Sequence, residues 1–196
     1  MLSNQRVLEI LTEAGVLLEG HFLLTSGRHS NKYMQCAKIF CNSKYSRELC
    51  ADLAAQFSGF AVDIVVGPAM GAVLMSYEVS AQLGVPNFFT ERENGKMTLR
   101  RGFSIPKGAR VLVVEDVVTT GGSVFEVIEL LKAMGAEVVG VGVIVDRTGS
   151  SGGTIDFGVP FKAVTSVSIE SYEADNCPLC KAGMGAPVKP GSRTKA

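Results

Sequence analysis

The sequence predicts an α/β fold: a doubly wound, mainly parallel sheet flanked by helices, with an N-terminal add-on outside the alternation. Short β-branched runs, VDIVV at 62–66, RVLVVE at 110–115 and EVVGVGVIVD at 137–146, alternate with helical stretches at 70–83 and 121–134. These runs are continuously apolar, the pattern of strands buried on both faces, as in a parallel sheet covered by helices. With 196 residues, 46% of them apolar and 19% charged, the chain is sized for one domain whose core needs neither disulfide nor metal.

Residues 4–14 set Val7, Leu8, Ile10, Leu11 and Ala14 on one side ahead of Gly15, predicting a first helix closed by glycine. Ser43 is the expected cap of a second helix carrying Leu49, Leu53, Ala54 and Phe57, with Gly59 as its stop. The two later helices close at Gly84 and Gly135. NFFTE at 87–91 follows Pro86 and gives one more strand, and FKAVTSV at 161–167 gives another beyond the loop at 148–153. Residues 91–104, ERENGKMTLRRGFS, are polar, rich in both charges and centred on Gly95, which suits a mobile loop or hairpin. The expected organisation is an N-terminal region at 1–42, an α/β core at 43–170 and an irregular Gly/Pro-rich tail at 174–196. Residues 184–196 lack any periodicity able to bury a face, so they are expected to be dispensable for folding.

No apolar run reaches the roughly 18 residues of a membrane span, and Met1–Glu13 mixes Asn4, Gln5, Arg6 and Glu9 into its apolar positions, unlike a signal peptide. Five cysteines, an odd number without a regular framework, read as free thiols of a reducing compartment, so a cytoplasmic location is expected. Lys plus Arg and Asp plus Glu both number 19, and this zero net charge gives no general footprint for nucleic acid. Any anion binding must be local. Lys181, Lys189, Arg193 and Lys195 read as a solvated terminus.

The segment VLVVEDVVTTGGSV at 111–124 carries the chemistry. It reads as a buried strand with Glu115 and Asp116 at its carboxyl end, then Thr119, Thr120, Gly121, Gly122 and Ser123 before a helix. Ligands of open α/β sheets bind beyond the carboxyl ends of the strands. A glycine turn with exposed N–H groups, three hydroxyls and a helix N-terminus together suit a phosphate. The two acids would repel that phosphate, so they point to neutral ribose hydroxyls or Mg²⁺ beside it. The plainer alternative is a tight strand-to-helix connection. No G-x-x-x-x-G-K-[ST] occurs, and the G-x-G at Gly140 and Gly142 lies inside a strand pattern without its third glycine, so neither ATP nor NAD is indicated. A second glycine turn, Gly67-Pro68-Ala69-Met70-Gly71, also leads from a strand into a helix.

The acid-acid, two-apolar, T-T-G-G-S run resembles the phosphoribosyl diphosphate (PRPP) signature of the type I phosphoribosyltransferases. The resemblance implies that Glu115 and Asp116 face the ribose hydroxyls. It gives the 5′-phosphate to the turn from Val117 and Val118 through Thr119, Thr120, Gly121 and Gly122 to Ser123. Gly67, Ala69 and Gly71 resemble the family's diphosphate loop. FLLTSGRHSNKYMQ at 22–35 and the Asp146-Arg147 pair are similar to orotate phosphoribosyltransferases in particular. That likeness implies a hood over the base site and orotate contacts from Thr25, Ser26, Tyr33, Thr119 and Arg147, a guanidinium being the natural bidentate partner of a carboxylate. It also implies catalytic roles for Asp116 and for the loop cations Arg92, Lys96, Arg100 and Arg101, a Mg²⁺ cofactor, and a homodimer in which the 91–104 loop reaches the neighbouring site. Where those enzymes carry a lysine before SGR this chain has Thr25, and where they carry one in the diphosphate loop it has Met70 or Gly71. Arg147 in a surface ion pair and 91–104 as a solvated hairpin are the alternatives.

The implied reaction transfers ribose 5-phosphate from PRPP to orotate, giving orotidine 5′-phosphate and diphosphate. A purine-base phosphoribosyltransferase and a non-catalytic PRPP-sensing regulator are the rival functions. Cys177 and Cys180 form a single C-x-x-C, and a zinc there would need two further ligands from Cys36, Cys41, Cys50, His21 or His29. His21 and His29 are isolated in the sequence and read as turn or surface residues, so no protein-held metal is expected. A redox pair would open a helix, and nothing downstream reads as one.

Overall fold

The computed structural model describes residues 1–24, 26–151 and 155–190. Six strands form the central sheet: β3 (Ile64–Pro68), β4 (Asn87–Glu93), β5 (Lys96–Leu99), β6 (Arg110–Val118), β7 (Glu137–Asp146) and β8 (Phe161–Ser166). Their order is β5-β4-β3-β6-β7-β8, with only β5 antiparallel to its neighbour. A separate antiparallel hairpin, β1 (Leu17–Leu23) and β2 (His29–Met34), forms the N-terminal add-on. No helix among the described residues is long and apolar enough to cross a membrane.

The helices divide between the two faces. On one, α1 (Asn4–Glu13), α2 (Ser43–Gln56) and α3 (Ala72–Leu83) bury Ile10, Leu49, Leu53 and Met75 against Val65, Leu112, Val114 and Ile144. On the other, α4 (Gly122–Ala133) buries Val124, Val127, Ile128 and Leu131 against Val66, Val111, Val113 and Val143. Successive residues of β6 thus feed opposite cores, which is why Val111–Val114 is apolar throughout.

The paired glycines of β7 have a packing cause. A Cβ on Gly140 would lie 2.7 Å from the Phe57 ring, and one on Gly142 would lie 2.9 Å from it. Phe57, fully buried at the end of α2, therefore sits directly on the strand backbone. Burying such a ring is worth about 2–3 kcal/mol, and only glycine leaves room for it.

Several boundaries differ from expectation. Asn42, not Ser43, caps α2 by accepting from the Lys44 amide, and the helix stops at Gln56 with Phe57 as its cap, ahead of Gly59. β3 starts later than residue 62 and runs through Gly67 and Pro68, because Asp63 is held at the sheet entrance by Arg110. The helix expected from residue 70 starts at Ala72. β6 continues to Val118, so Glu115 and Asp116 lie within the strand rather than at its carboxyl end. Residues 91–104 begin as the β4–β5 hairpin, turning at Asn94-Gly95.

The tail is less free than its composition suggests. It holds a short α5 (Pro178–Lys181), and Val188 joins the hairpin in strand fashion. The Leu23 amide donates to the Val188 carbonyl and the Val188 amide to the His21 carbonyl, both at 2.8 Å, while the Gly185 carbonyl meets His21 Nδ1 at 2.9 Å. Residues 191–196 lie outside the described part. Deleting residues 184–196 removes these three bonds, worth about 1 kcal/mol each. The truncated chain should keep its α/β circular dichroism but melt several degrees lower, as a thermal scan would read; an unchanged melting temperature would show the tail contacts to be inconsequential.

Candidate active site

Three parallel neighbours, β3, β6 and β7, end side by side, and their carboxyl ends bring the sequence motifs together. At the end of β6, Val117 pairs with Val145 and Val118 with Asp146. The chain bends at Thr119-Thr120 and enters α4 through Gly121, whose φ of +73° and 2.9 Å Cβ approach to the Phe157 ring both demand glycine. No side chain caps this helix start, which is the arrangement an anion needs.

The second turn touches the first. The Ala69 amide donates to the Thr90 carbonyl at 2.6 Å, and the chain reaches α3 through Gly71. A Cβ on Gly71 would lie 2.9 Å from an Asp116 carboxylate oxygen. The 67–71 and 115–123 segments therefore meet across the Asp116 carboxylate.

Asp116 is buried, with Oδ1 accepting from the Val117 amide at 2.8 Å. Burial pushes its pKa above the ordinary carboxyl value. Arg147 follows β7, its amide donating to the Val118 carbonyl at 2.8 Å. Its side chain is also buried, and Nε has no hydrogen-bond partner among the described residues. Burial pushes the guanidinium pKa down. The surface ion pair with Asp146 does not form: Asp146 accepts from the Thr148 amide and the Ser166 hydroxyl instead. Among the described residues neither Asp116 nor Arg147 has an ion-pair partner. A buried, unpaired guanidinium donor is costly to the apo protein, so it marks a place for an acceptor from outside.

Tyr33 and Cys36 feel both Arg147 and Asp116 electrostatically, and burial raises the pKa of each. Tyr33 thus belongs to this centre. Ser26 lies exposed in the turn at the opposite end of the hairpin, where its hydroxyl accepts from the Arg28 amide, and the structure leaves it there. Thr25 lies outside the described residues. Thr119 is half-buried and Thr120 exposed at the β6–α4 turn. Two residues of this centre are not expected from the sequence: Cys36, which reads there only as a zinc ligand, and Thr90, whose buried hydroxyl beside the Ala69 turn has no partner among the described residues. Only the spacing of Thr90 from the end of β4 could have flagged it.

The loop cations are held elsewhere in the chain. Arg92 makes a bidentate pair with Glu126 on α4 at 2.6 and 2.7 Å, and Arg101 pairs with Glu91 at 3.0 Å. Arg100 lies 3.2 Å from Glu93 and 3.9 Å from Glu91. Lys96 is exposed at the start of β5, without an ion pair among the described residues. These pairs are exposed or partly exposed and screened by water, so a highly charged ligand can compete for the arginines.

The profile of the phosphoribosyl transferase domain matches residues 43–159. The chain is 55% identical over 192 residues to the orotate phosphoribosyltransferase of Desulforamulus reducens, covering 98% of each chain. It is 54% identical over 185 residues to that of Thermotoga maritima, covering 94% of this chain and 97% of the relative. The crystal structure of orotate phosphoribosyltransferase from Aeropyrum pernix superposes with a TM-score of 0.65 at 27% identity, covering 82% of this chain and 93% of that one. An adenine phosphoribosyltransferase structure from Thermoanaerobacter pseudethanolicus, at 16% identity and a TM-score of 0.60 over 69% of this chain and 88% of its own, shares the fold. Near-complete coverage at more than half identity, on a fold that joins both glycine turns at one acidic pair, places the chain in the phosphoribosyltransferase family, among the orotate phosphoribosyltransferases.

Proposed function

We propose that this chain transfers ribose 5-phosphate from PRPP to orotate, giving orotidine 5′-phosphate and diphosphate. The observation that carries the choice of acceptor is Arg147: a buried guanidinium whose Nε has no partner among the described residues, within electrostatic reach of Tyr33 and at the same strand ends as the phosphate turn. A neutral purine offers no charge to such a group, whereas the orotate carboxylate offers two oxygens.

The chemistry asks little of side-chain nucleophiles. A ring nitrogen of orotate attacks C1′ of PRPP, the C1′–O bond to diphosphate breaks, and positive charge passes through the ribosyl ring. The 119–123 turn holds the 5′-phosphate, and Glu115 and Asp116 orient the ribose hydroxyls and stabilise the ring's developing charge. The turn at 67–71 faces the leaving diphosphate with backbone donors. Mg²⁺ bound with PRPP would offset charge gathering on the diphosphate; the donors here, carboxylate and hydroxyl oxygens with no chain cation already on Asp116, fit a hard divalent ion. Arg92, Lys96, Arg100 and Arg101 serve the same diphosphate when their loop closes, and closure excludes water from the ring.

Exposed Met70, Leu74 and Tyr77 form an apolar stripe from the diphosphate turn along α3, and this supports a homodimer built beside the site. The 91–104 loop then reaches the partner's centre. Cytoplasmic residence agrees with five unpaired cysteines.

Arg147→Ala should weaken orotate by about 10- to 150-fold, the worth of a charge-assisted hydrogen bond of roughly 1.5–3 kcal/mol, and leave PRPP affinity nearly unchanged. Arg147→Lys should rescue only part. Calorimetric titration of both ligands checks this, and a loss confined to PRPP would overturn the acceptor assignment. For Asp116, a raised carboxyl pKa is a stability penalty. The penalty is absent below the ordinary value of about 3.9 and grows as pH rises through it toward the folded value. Asp116→Asn should therefore melt no lower than wild type at pH 7, with its advantage fading toward pH 4, while transfer slows by roughly 10²-fold or more. Melting curves and rates at both pH values read this directly; parallel loss of stability and rate would make Asp116 a fold residue instead.

A further inference from the structure

Away from the active centre, four potential ligands converge where the tail meets the hairpin. His21, His29, Cys177 and Cys180 bring one ligand atom each to within 4.8 Å of all the others. His21 Nε2 is 3.0 Å from His29 Nδ1 and 3.7 Å from each sulfur, and Cys180 Sγ is 3.3 Å from His29 Nδ1. A tetrahedral zinc, with Zn–N about 2.0 Å and Zn–S about 2.3 Å, needs N···N, N···S and S···S edges of roughly 3.3, 3.5 and 3.8 Å. The observed separations lie near those edges. With all four atoms within 4.8 Å of one another, they can close on one ion by shifts of about an ångström or less.

The surroundings favour a metal over a chance cluster. His21 and His29 are buried, contrary to their reading as turn or surface residues, and Cys177 is buried to 1% exposure. A one-residue bulge between Glu19 and Phe22 sets His21 in β1. His21 Nδ1 lies 2.9 Å from the Gly185 carbonyl, a bond that fixes the proton on Nδ1 and turns the Nε2 lone pair toward the cluster. A hydrogen bond between the rings would satisfy one nitrogen of each but would leave two thiols with only weak contacts. Two thiolates with a divalent cation and two neutral imidazoles are charge-balanced and so can be buried.

We propose that these four residues hold a structural zinc ion that clips the tail to the N-terminal hairpin. The S₂N₂ donor set suits zinc, and all four positions come from protein, which marks a closed structural site rather than a catalytic one. Binding displaces one proton from each thiol and forms two Zn–S and two Zn–N bonds, with no change of oxidation state. The clip locks α5 and Val188 onto the hairpin that also carries Tyr33.

The test is metal analysis of the full chain, purified reduced and without a metal-binding tag, then supplied with Zn²⁺ and desalted. One zinc per chain is expected, and exchange for Co²⁺ should give the intense visible absorption of a tetrahedral thiolate site. A strong chelator should lower the melting temperature by about 5 °C or more. Cys180→Ser and His29→Asn should lose the metal, while Cys41→Ser, an exposed cysteine elsewhere, should keep it. Wild type that holds no zinc and shows no Co²⁺ band overturns the proposal, as does a Cys177–Cys180 disulfide in that protein or zinc that survives both substitutions. Should a variant fail to fold, the Co²⁺ titration of wild type decides alone.

Discussion

Parallel pairing of β6 with β3 on one side and β7 on the other is the constraint on which the site depends. Parallel neighbours point their carboxyl ends the same way, so three loops from distant parts of the sequence open onto one edge. The Gly71–Asp116 approach and the bond from the Arg147 amide to Val118 are consequences of that pairing. Continuous burial of β6 between two helical layers makes the edge rigid, and catalysis by positioning needs such an edge.

The site holds two buried charges of opposite sign, neither neutralised by the chain. Burial raises the pKa of Asp116 and lowers that of Arg147, so each is less stable charged than it would be in water. A protein selected only for stability would replace both. Under the proposed function, ligands bring the complements: hydroxyls for the carboxylate and a carboxylate for the guanidinium. The loop arginines show the opposite arrangement, exposed and already paired, ready to exchange partners.

Much of this is legible in the sequence, for identifiable reasons. The alternation of β-branched runs with glycine-closed helices gives the sheet, since both signals are local. The strand at 137–146 is placed residue for residue. The end of β6 is misread because Glu115-Asp116 looks like a polar stop, yet backbone pairing to β7 continues through Val118 whatever the side chains. The β1–β2 hairpin escapes notice because its bulge breaks the two-residue period and polar residues crowd β2. In the site, Tyr33 lies within electrostatic reach of Arg147, whereas Ser26 sits exposed in the β1–β2 turn. The burial of His21 and His29 is not readable locally at all: it is made with residues of the distant tail, such as Cys180, 159 and 151 positions away.

In the proposed function, one buried guanidinium on a phosphoribosyl-transfer scaffold selects the acceptor. The most direct test offers the wild-type enzyme orotate, uracil, adenine and hypoxanthine at equal concentration with PRPP and Mg²⁺, and measures kcat/KM for each. Transfer to orotate is expected, with uracil, which lacks only the carboxylate, poorer by about 10-fold or more. Uracil used as well as orotate, or a purine preferred to both, would contradict it.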